Sequence, residues 1–314
     1  MRGCSRRDFM VHSATTAGML ALGSRTLTAA MADDSKPLDM TIARWTGPKD
    51  LQPGQVDQVA GKLAEKAIEA MGGLKRFVTK GSVVWIKPNI GWDRRPEQAA
   101  NTNPEIVATI IRLCFEAGAK TVKVGDNPCN PAPKTYENSG IAAVARKMGA
   151  ELVYLDRSRF KDTAIQGERV KSIPIYPGIM ECDLVINVPI VKHHCLADST
   201  LCMKNYMGVI ENRKSFHQDI PTCLADITRF MKPQICILDA VRILTAHGPT
   251  GGRLEDVALR YTVAAGTDIV ALDALGAEIM DRKPEKIGSI VKAVQVGLGK
   301  MDYRSLALRE IAVS

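Results

Sequence analysis

Residues 103–127 read NPEIVATIIRLCFEAGAKTVKVGDN, and this stretch decides the fold. Asn103 is a typical N-cap residue, and the proline and glutamate that follow it favour the first turn of a helix. We expect this helix to run to Ala117 and to end at Gly118. Residues 121–124 then predict a short strand that ends in Gly-Asp-Asn. The stretch therefore predicts a helix followed by a buried strand.

The same alternation continues in both directions. Upstream, the apolar run VVWI (83–86) predicts a strand of the kind buried in a parallel sheet, and it ends in Lys-Pro-Asn. Apolar spacing predicts further helices over residues 56–71, 141–148, 220–231, 268–280 and 286–298. Further strands are predicted over residues 41–45, 151–155, 170–176 (as an edge or antiparallel strand), 184–188, 235–238, 261–265 and 309–313. This alternation predicts an α/β fold with a mostly parallel sheet and helices on both faces.

The N-terminal segment predicts export. Arg6 and Arg7 precede a weakly apolar stretch (11–23), and Ala30-Met31-Ala32 offers a small-x-small cleavage site. The apolar stretch is too short for a stable membrane span. We therefore predict a twin-arginine signal peptide over residues 1–32, a single α/β domain over residues 33–314, and a periplasmic or other extracytoplasmic location. The alternative is a disordered basic N-terminus.

Charge and cysteine content limit the classes of partner and cofactor. The formal charge is +8, of which +3 lies in residues 1–32, so +5 remains for the predicted domain. With only 5% aromatic residues and no basic run, we predict no nucleic-acid partner. Seven cysteines follow residue 32, in no ferredoxin or CxxC spacing. An odd number cannot all pair within one chain, so buried thiols, disulfides and ligands all stay open. Apolar surroundings favour core positions for Cys114 and Cys236.

Polar side chains follow several of the predicted strands directly. They are Lys87, Asn89, Asp126, Asn127, Lys192, His193, His194 and Asp239. In parallel sheets the carboxyl ends of the strands meet at one edge, where ligands bind. We therefore expect these side chains to form a single site.

Each of these residues also has a plainer interpretation. Lys87 could bind an anion or be a solvated lysine at an ordinary turn. Asp126 could be an acid, a base or a metal ligand, or simply a turn residue. The adjacent His193 and His194 face opposite ways on extended backbone, so one would serve as ligand or acid/base and the other as support.

The segment VKHHCLADSTLCMKNYMGVIEN (191–212) concentrates imidazole, thiol and cationic groups. Lys204 could anchor a phosphate, a carboxylate or an oxyanion. Cys195 and Cys202 are seven residues apart, which matches no standard structural zinc spacing. A disulfide or buried thiols are favoured for these two cysteines over metal ligation. His217, in the next polar stretch, could complete a set of histidines.

Several motifs together resemble a known family. They include IKPN, TNPEIVATIIRLCFEAGAKTVKVGDNP, CDLVINVPIVKHH, STLCMKNYMGVI, GPTGG and AGTDIVALDALGAEIM. Their order over residues 83–280 resembles the domain of unknown function 362 family. Members commonly carry iron-sulfur modules or export signals, which implies a redox or metal-linked role. The family's Lys-x-His and TxxxKN elements would fall on Lys192, His194, Thr200, Lys204 and Asn205. The clustered-cysteine ferredoxin insert of some members is absent from this sequence.

These observations predict an exported metal- or cofactor-dependent protein that acts on a small anionic substrate, with a redox enzyme as the favoured class. The candidate cofactors are a metal ion and an iron-sulfur cluster. The candidate partners are the twin-arginine export machinery and a redox partner. The predicted catalytic residues are His194, Asp126 and Lys204. The predicted substrate-binding residues are Lys87, Asn89, Lys192, Asn205 and Thr200. The predicted metal ligands are His193, His194, His217, Cys195 and Asp239. The main alternative is a non-catalytic ligand-binding or cofactor-maturation factor. A third is a surface interaction protein whose His/Cys cluster is merely packed.

Overall fold

A computed structural model of the protein describes residues 37–314. Its strands are β1 (Met40–Trp45), β2 (Val83–Pro88), β3 (Thr121–Val124), β4 (Glu151–Leu152), β5 (Lys161–Ala164), β6 (Ser172–Ile175), β7 (Leu184–Val188), β8 (Ile190–His194), β9 (Asp198–Thr200), β10 (Ile235–Leu244), β11 (Val257–Gly266) and β12 (Leu308–Val313). Its α-helices are α1 (Pro53–Ala70), α2 (Pro104–Glu116), α3 (Ala132–Asn138), α4 (Ile141–Lys147), α5 (Pro177–Met180), α6 (Cys202–Asn205), α7 (Ile220–Met231), α8 (Ile269–Ile279) and α9 (Gly288–Gln295).

The strands form one large mixed sheet in the order β12-β1-β11-β10-β7-β2-β3-β4. Strands β7, β2, β3 and β4 are parallel, and β10 is parallel to β7 and to β8. β11 is antiparallel to both β1 and β10, and β9 returns antiparallel to β8. The carboxyl ends of β2, β3 and β7 therefore meet at one edge of the sheet.

Helices cover both faces of this sheet. Along β2, Val84 and Ile86 pack in one buried cluster with residues of α1, α2 and α4. Trp85 points to the other face, where it joins a second cluster that includes residues of α7, α8 and α9. This distribution follows from the two-residue period of a strand. The predicted α/β fold, with a mostly parallel sheet and helices on both faces, is confirmed.

Local signals explain several element boundaries. The Asn103 side chain accepts a hydrogen bond from the Glu105 amide at 2.9 Å and so caps α2 as predicted. Asp268 caps α8 in the same way, by accepting from the amides of Val270 and Ala271. The predicted bounds of β3, β7 and α7 match those of the structure.

Other boundaries differ from prediction. Residues 170–176 were expected as an edge or antiparallel strand; β6 pairs antiparallel with β5 in a separate two-stranded sheet. The strand predicted over residues 151–155 is shorter in the structure, where it is β4. The strand predicted over residues 235–238 is longer, where it is the fully buried β10.

Residues 37–314 cluster as one compact unit. Within that range, no helix combines the length and apolar character needed to cross a bilayer. The predicted signal peptide, residues 1–32, lies outside the described residues.

Candidate functional site

A cavity of about 290 Å³ opens at the carboxyl edge of the central parallel strands. Most of the residues that the sequence singled out contribute to its lining: Asn89, Asp126, Lys192, His194, Cys195, Thr200, Lys204, Asn205 and His217. Three do not line it, namely Lys87, His193 and Asp239. The edge of the sheet therefore gathers most of the predicted site, and the contacts of each residue determine what it can do.

Lys87 lies beneath the cavity as half of a buried ion pair. Its side chain is 1% exposed, and its Nζ donates to Asp126 Oδ1 at 2.7 Å. The other two hydrogen bonds of Nζ go to the Pro88 carbonyl at 2.9 Å and to Asn205 Oδ1 at 3.1 Å. Burial lowers the pKa of Lys87, and the nearby Asp126 charge opposes that shift. All three Nζ protons are committed, so this geometry gives Lys87 a positioning role in place of the predicted contact with substrate.

Asp126 is similarly engaged. While Oδ1 accepts from Lys87, Oδ2 accepts from the Ile90 amide at 2.7 Å. Asp126 is the single carboxylate among the described residues that line the cavity. Because its charge is matched by Lys87, it leaves the other cations of the cavity without a counter-charge.

A chain of amides ties this ion pair to the neighbouring strands. Asn205 Oδ1 accepts from Asn89 Nδ2 at 3.0 Å, and Asn205 Nδ2 donates to Asn187 Oδ1 at 2.9 Å. Asn205 Nδ2 also donates to the Lys87 carbonyl at 3.1 Å. Asn205 is therefore fully hydrogen-bonded within the protein, and it joins α6 to β2 and β7.

The backbone of Gly208 lies against the ion pair. A Cβ added there would overlap Asp126 Oδ1 and lie 2.6 Å from Lys87 Nζ. Glycine is required here for close approach, because any side chain would displace the paired charges. The segment is anchored five to six residues earlier, where the Asp273 carboxylate accepts from the amides of Cys202 at 2.6 Å and Met203 at 3.2 Å.

Lys192 is buried without an ion-pair partner among the described residues. Its side chain is 1% exposed, and Nζ donates to the Ala100 carbonyl at 2.6 Å and to Asn89 Oδ1 at 2.9 Å. Burial, followed by the nearby Lys204 charge, lowers the pKa of Lys192 to about 7. The amine therefore changes charge near neutral pH.

Lys204 and Arg213 add two more cations. Lys204 is half-buried, and the contact found for its Nζ is with Met207 Sδ at 3.4 Å. Burial, followed by the Arg213 charge, lowers the pKa of Lys204 to about 8. Arg213 donates to the Met207 and Asn127 carbonyls and to Cys129 Sγ. Within residues 37–314, neither cation forms an ion pair.

His194 is a neutral hydrogen-bond donor towards the cavity. Its Nδ1 accepts from the Leu196 amide at 3.1 Å, so the ring proton is on Nε2. The ring is 6% exposed, and burial together with Lys204 and Lys192 lowers its pKa to about 3. Nε2–H therefore offers a proton to a ligand oxygen, whereas a metal ligand would need a free lone pair there.

Thr200 contributes an unpartnered hydroxyl. It pairs with Lys192 across the β8–β9 hairpin and is 4% exposed. Its Oγ1 is buried and has no hydrogen-bond partner among the described residues. A buried polar atom left unsatisfied costs about 1–3 kcal/mol, so a lining hydroxyl of this kind marks where a ligand atom would be accommodated.

The remaining predicted metal ligands are dispersed. His193 faces away from the cavity, and its Nδ1 accepts from the Gly248 amide at 3.1 Å. Asp239 lies within β10, against the start of α2. It accepts from the amides of Asn103 at 2.8 Å and Val241 at 3.1 Å, and burial raises its pKa to about 6. His217 is exposed at the rim, and partial burial lowers its pKa.

The donor set does not fit a metal centre. Among residues 37–314, no group of three or more His, Cys, Asp and Glu side chains is placed to hold a metal ion. The cysteines of this range are all free thiols. Cys114, Cys202, Cys223 and Cys236 are buried, whereas Cys129 and Cys195 are exposed at the cavity. An iron-sulfur cluster is held mainly by cysteine thiolates, which this lining does not assemble.

Arg213 is the main lining cation that the sequence did not reveal. It sits in the polar stretch Glu211–Lys214, where an arginine is ordinarily solvated. No local pattern distinguishes it, since its role depends on the carbonyl of Asn127, which is remote in the chain. Trp92 also lines the cavity without having been predicted.

The fold and this site define an α/β protein with a cation-rich cavity at the carboxyl edge of its sheet. The chain belongs to the family described as Domain of unknown function (DUF362), which matches residues 84–278. The resemblance noted in the sequence is thereby confirmed.

Two comparisons place the chain among known proteins. It is 27% identical over 241 residues to the Thylakoid-associated protein sll1697 of Synechocystis sp., which covers 74% of this chain and 73% of that protein. The lactate racemase apoprotein from Thermoanaerobacterium thermosaccharolyticum superposes with a TM-score of 0.47 at 10% identity. That alignment covers 77% of this chain and 57% of the racemase chain, and a similarity of this size says nothing about activity.

Proposed function

We propose that this protein binds a small anionic ligand, of the carboxylate or phosphate class, in the cavity at the carboxyl edge of the sheet. The observation that carries the proposal is the charge imbalance of the lining. Lys192, Lys204 and Arg213 have no ion-pair partner among the described residues, and Asp126 is already paired with Lys87. Confined cations without counter-charges are costly, and an anion that enters the cavity removes that cost.

Neutral donors complement these cations. His194 Nε2–H and the Thr200 hydroxyl both belong to the lining, and both are free to bond to a ligand oxygen. Such fixed donors orient an anion, whereas the lysines supply most of the attraction. Three cations and two neutral donors suit a ligand with several oxygens, such as a carboxylic acid with a second oxygen substituent.

The sequence also predicted an exported, metal-dependent redox enzyme. The dispersed donors favour the alternative in which the cavity binds its ligand without a resident metal. For that reason we assign no step of a reaction to a metal ion or a cluster. A cofactor-maturation factor that holds an anionic intermediate is compatible with the same lining.

The test is calorimetric titration of the purified protein with acetate, oxalate, pyruvate and inorganic phosphate at low salt. We expect at least one of these anions to bind, and its affinity to fall as salt screens the lysines. Lys204→Ala and Arg213→Ala should each weaken binding about tenfold or more, since a hydrogen bond to a charged group contributes about 1.5–3 kcal/mol. Lys147→Ala is the matched control, because Lys147 is exposed on α4.

Two results would overturn the proposal. One is that none of the four anions binds the wild-type protein. The other is that Lys204→Ala, Arg213→Ala and Lys147→Ala change the affinity equally, because binding would then be non-specific attraction to a basic surface.

We also propose export by the twin-arginine route, with cleavage after Ala32. Arg6 and Arg7 followed by a weakly apolar stretch support it. Replacing both arginines by lysine should retain the protein in the cytoplasm of its host in cell fractionation. An exported variant would contradict this route alone, whereas a wild-type protein found in the cytoplasm would contradict both the route and the extracytoplasmic location.

A further inference from the structure

Lys192 has an uncommon set of contacts for a lysine. Its Nζ makes two hydrogen bonds, to Asn89 Oδ1 and to the Ala100 carbonyl, and both acceptors are uncharged. The fourth tetrahedral position of Nζ, after the Cε bond and these two contacts, has no partner among the described residues. A neutral amine in this setting donates both of its protons and keeps its lone pair free.

Lys87 provides an internal comparison. Both lysines are 1% exposed and both end at the carboxyl edge of the sheet. However, Lys87 Nζ has three acceptors, one of which is the Asp126 carboxylate, so it is held as an ammonium with no free position. Lys192 lines the cavity whereas Lys87 does not. Of the two buried lysines, only Lys192 can present a lone pair to a ligand.

The surroundings also favour the neutral form of Lys192. Burial and the charge of Lys204 lower its pKa to about 7. At neutral pH the free-amine fraction is therefore on the order of a thousandfold larger than that of an exposed lysine with a pKa near 10.4. Desolvation and a neighbouring cation are the two means by which proteins activate a lysine as a nucleophile.

We propose that Lys192 forms an imine with the carbonyl carbon of a small oxo acid whose carboxylate is held by Lys204 and Arg213. This inference rests on the proposed function, and it narrows the ligand to anions that also carry a ketone or an aldehyde. His194 lies two residues from Lys192 on the same face of β8, so its Nε2–H is available to a ligand oxygen at the same site.

The step balances without an oxidant or a metal. The Lys192 lone pair attacks the carbonyl carbon and gives a carbinolamine after proton transfer from nitrogen to oxygen. The carbinolamine hydroxyl takes a proton from the Lys204 ammonium and leaves as water, so the C–O bond breaks and the C=N bond forms. The products are a protonated imine on Lys192, a neutral Lys204 amine and one water molecule.

Reductive trapping tests the imine. The purified full-length protein is incubated with pyruvate or glyoxylate in the presence of cyanoborohydride, then digested and mapped by mass spectrometry. We expect a single reduced adduct on the peptide that contains Lys192, at least about tenfold above the adduct on the exposed Lys147, given their different free-amine fractions. Acetate, an anion without a ketone or aldehyde group, should compete with trapping.

Variants separate the amine from the charge. Lys192→Arg keeps the cation but cannot form an imine, so it should lose the adduct. Lys192→Met removes the amine and the charge together and should lose the adduct as well. The wild-type peptide map identifies the modified lysine without any variant.

The outcomes distinguish the two proposals. Oxo-acid binding without an adduct at Lys192, or an adduct on Lys204 or on surface lysines instead, overturns the imine and leaves anion binding intact. Absence of both binding and trapping overturns the proposed function as well. An adduct at Lys192 that acetate suppresses supports both.

Discussion

Replacing Lys87 by methionine tests the central feature of the site, which is the buried ion pair beneath the cavity. The substitution keeps a side chain of similar length and removes three hydrogen bonds of Nζ. It leaves the Asp126 carboxylate buried with one amide donor and no cation. Removing one partner of a buried pair costs about 3–5 kcal/mol, because the remaining charge is uncompensated.

The assay is unfolding of the full chain by urea and by heat, monitored by circular dichroism. We expect the free energy of unfolding to fall by about 3–5 kcal/mol, and the melting temperature by on the order of 10 °C. The double variant Lys87→Met/Asp126→Asn should recover part of this loss, since coupling energies of contacting pairs are about 0.5–3 kcal/mol. The matched control is Lys66→Met. Lys66 pairs with Glu69 at the same 2.7 Å but at the surface, so its loss should hardly change stability.

A specific result would refute this reasoning. If Lys87→Met unfolds at the same urea concentration as the wild type but loses anion affinity, then its ammonium contacts the ligand. The sequence-based assignment of Lys87 to substrate binding would then hold, and its positioning role would not.

Three further predictions concern the close contact of the Gly208 backbone with the ion pair, the buried His194 and the Asp226 contacts outside the cavity. Gly208→Ala should lower the melting temperature and weaken anion binding, since its Cβ would displace the ion pair, whereas Gly54→Ala, which meets no atom within 4 Å, should do neither. His194 has a folded pKa of about 3 against about 6.5 when unfolded, so unfolding takes up a proton between these values and stability falls as the pH drops through that window. In His194→Asn the side-chain oxygen can still accept from the Leu196 amide. Between neutral pH and about pH 4.5, the free energy of unfolding measured in urea should fall by about 2 kcal/mol less in this variant than in the wild type. An equal fall in both proteins would contradict a neutral buried imidazole. Asp226→Ala should cost about 2–4 kcal/mol, because it leaves the amides of residues 168–170 without their acceptor, yet calorimetry should show unchanged anion affinity; reduced affinity would mean that this loop is coupled to the cavity.

Much of the fold could be predicted because its signals are local. The Asn103-Pro104-Glu105 start of α2 is a property of three consecutive residues, and the apolar run of β7 is a property of five. The β8–β9 hairpin was missed, since His193, His194 and Thr200 carry no strand signal apart from their pairing with one another. Its formation places Thr200 opposite Lys192, which a linear pattern cannot show.

The sequence alone determined that an α/β protein would gather polar side chains at the carboxyl edge of its sheet, because helix and strand periods and the direction of parallel strands are set locally. Only the tertiary structure decided which of these side chains are free. Lys87 is neutralised by Asp126, 39 residues away, and is bound by Asn205, 118 residues away, whereas Lys192 receives neutral acceptors alone. Charge compensation depends on distances through space, and those distances exist only once the chain has folded.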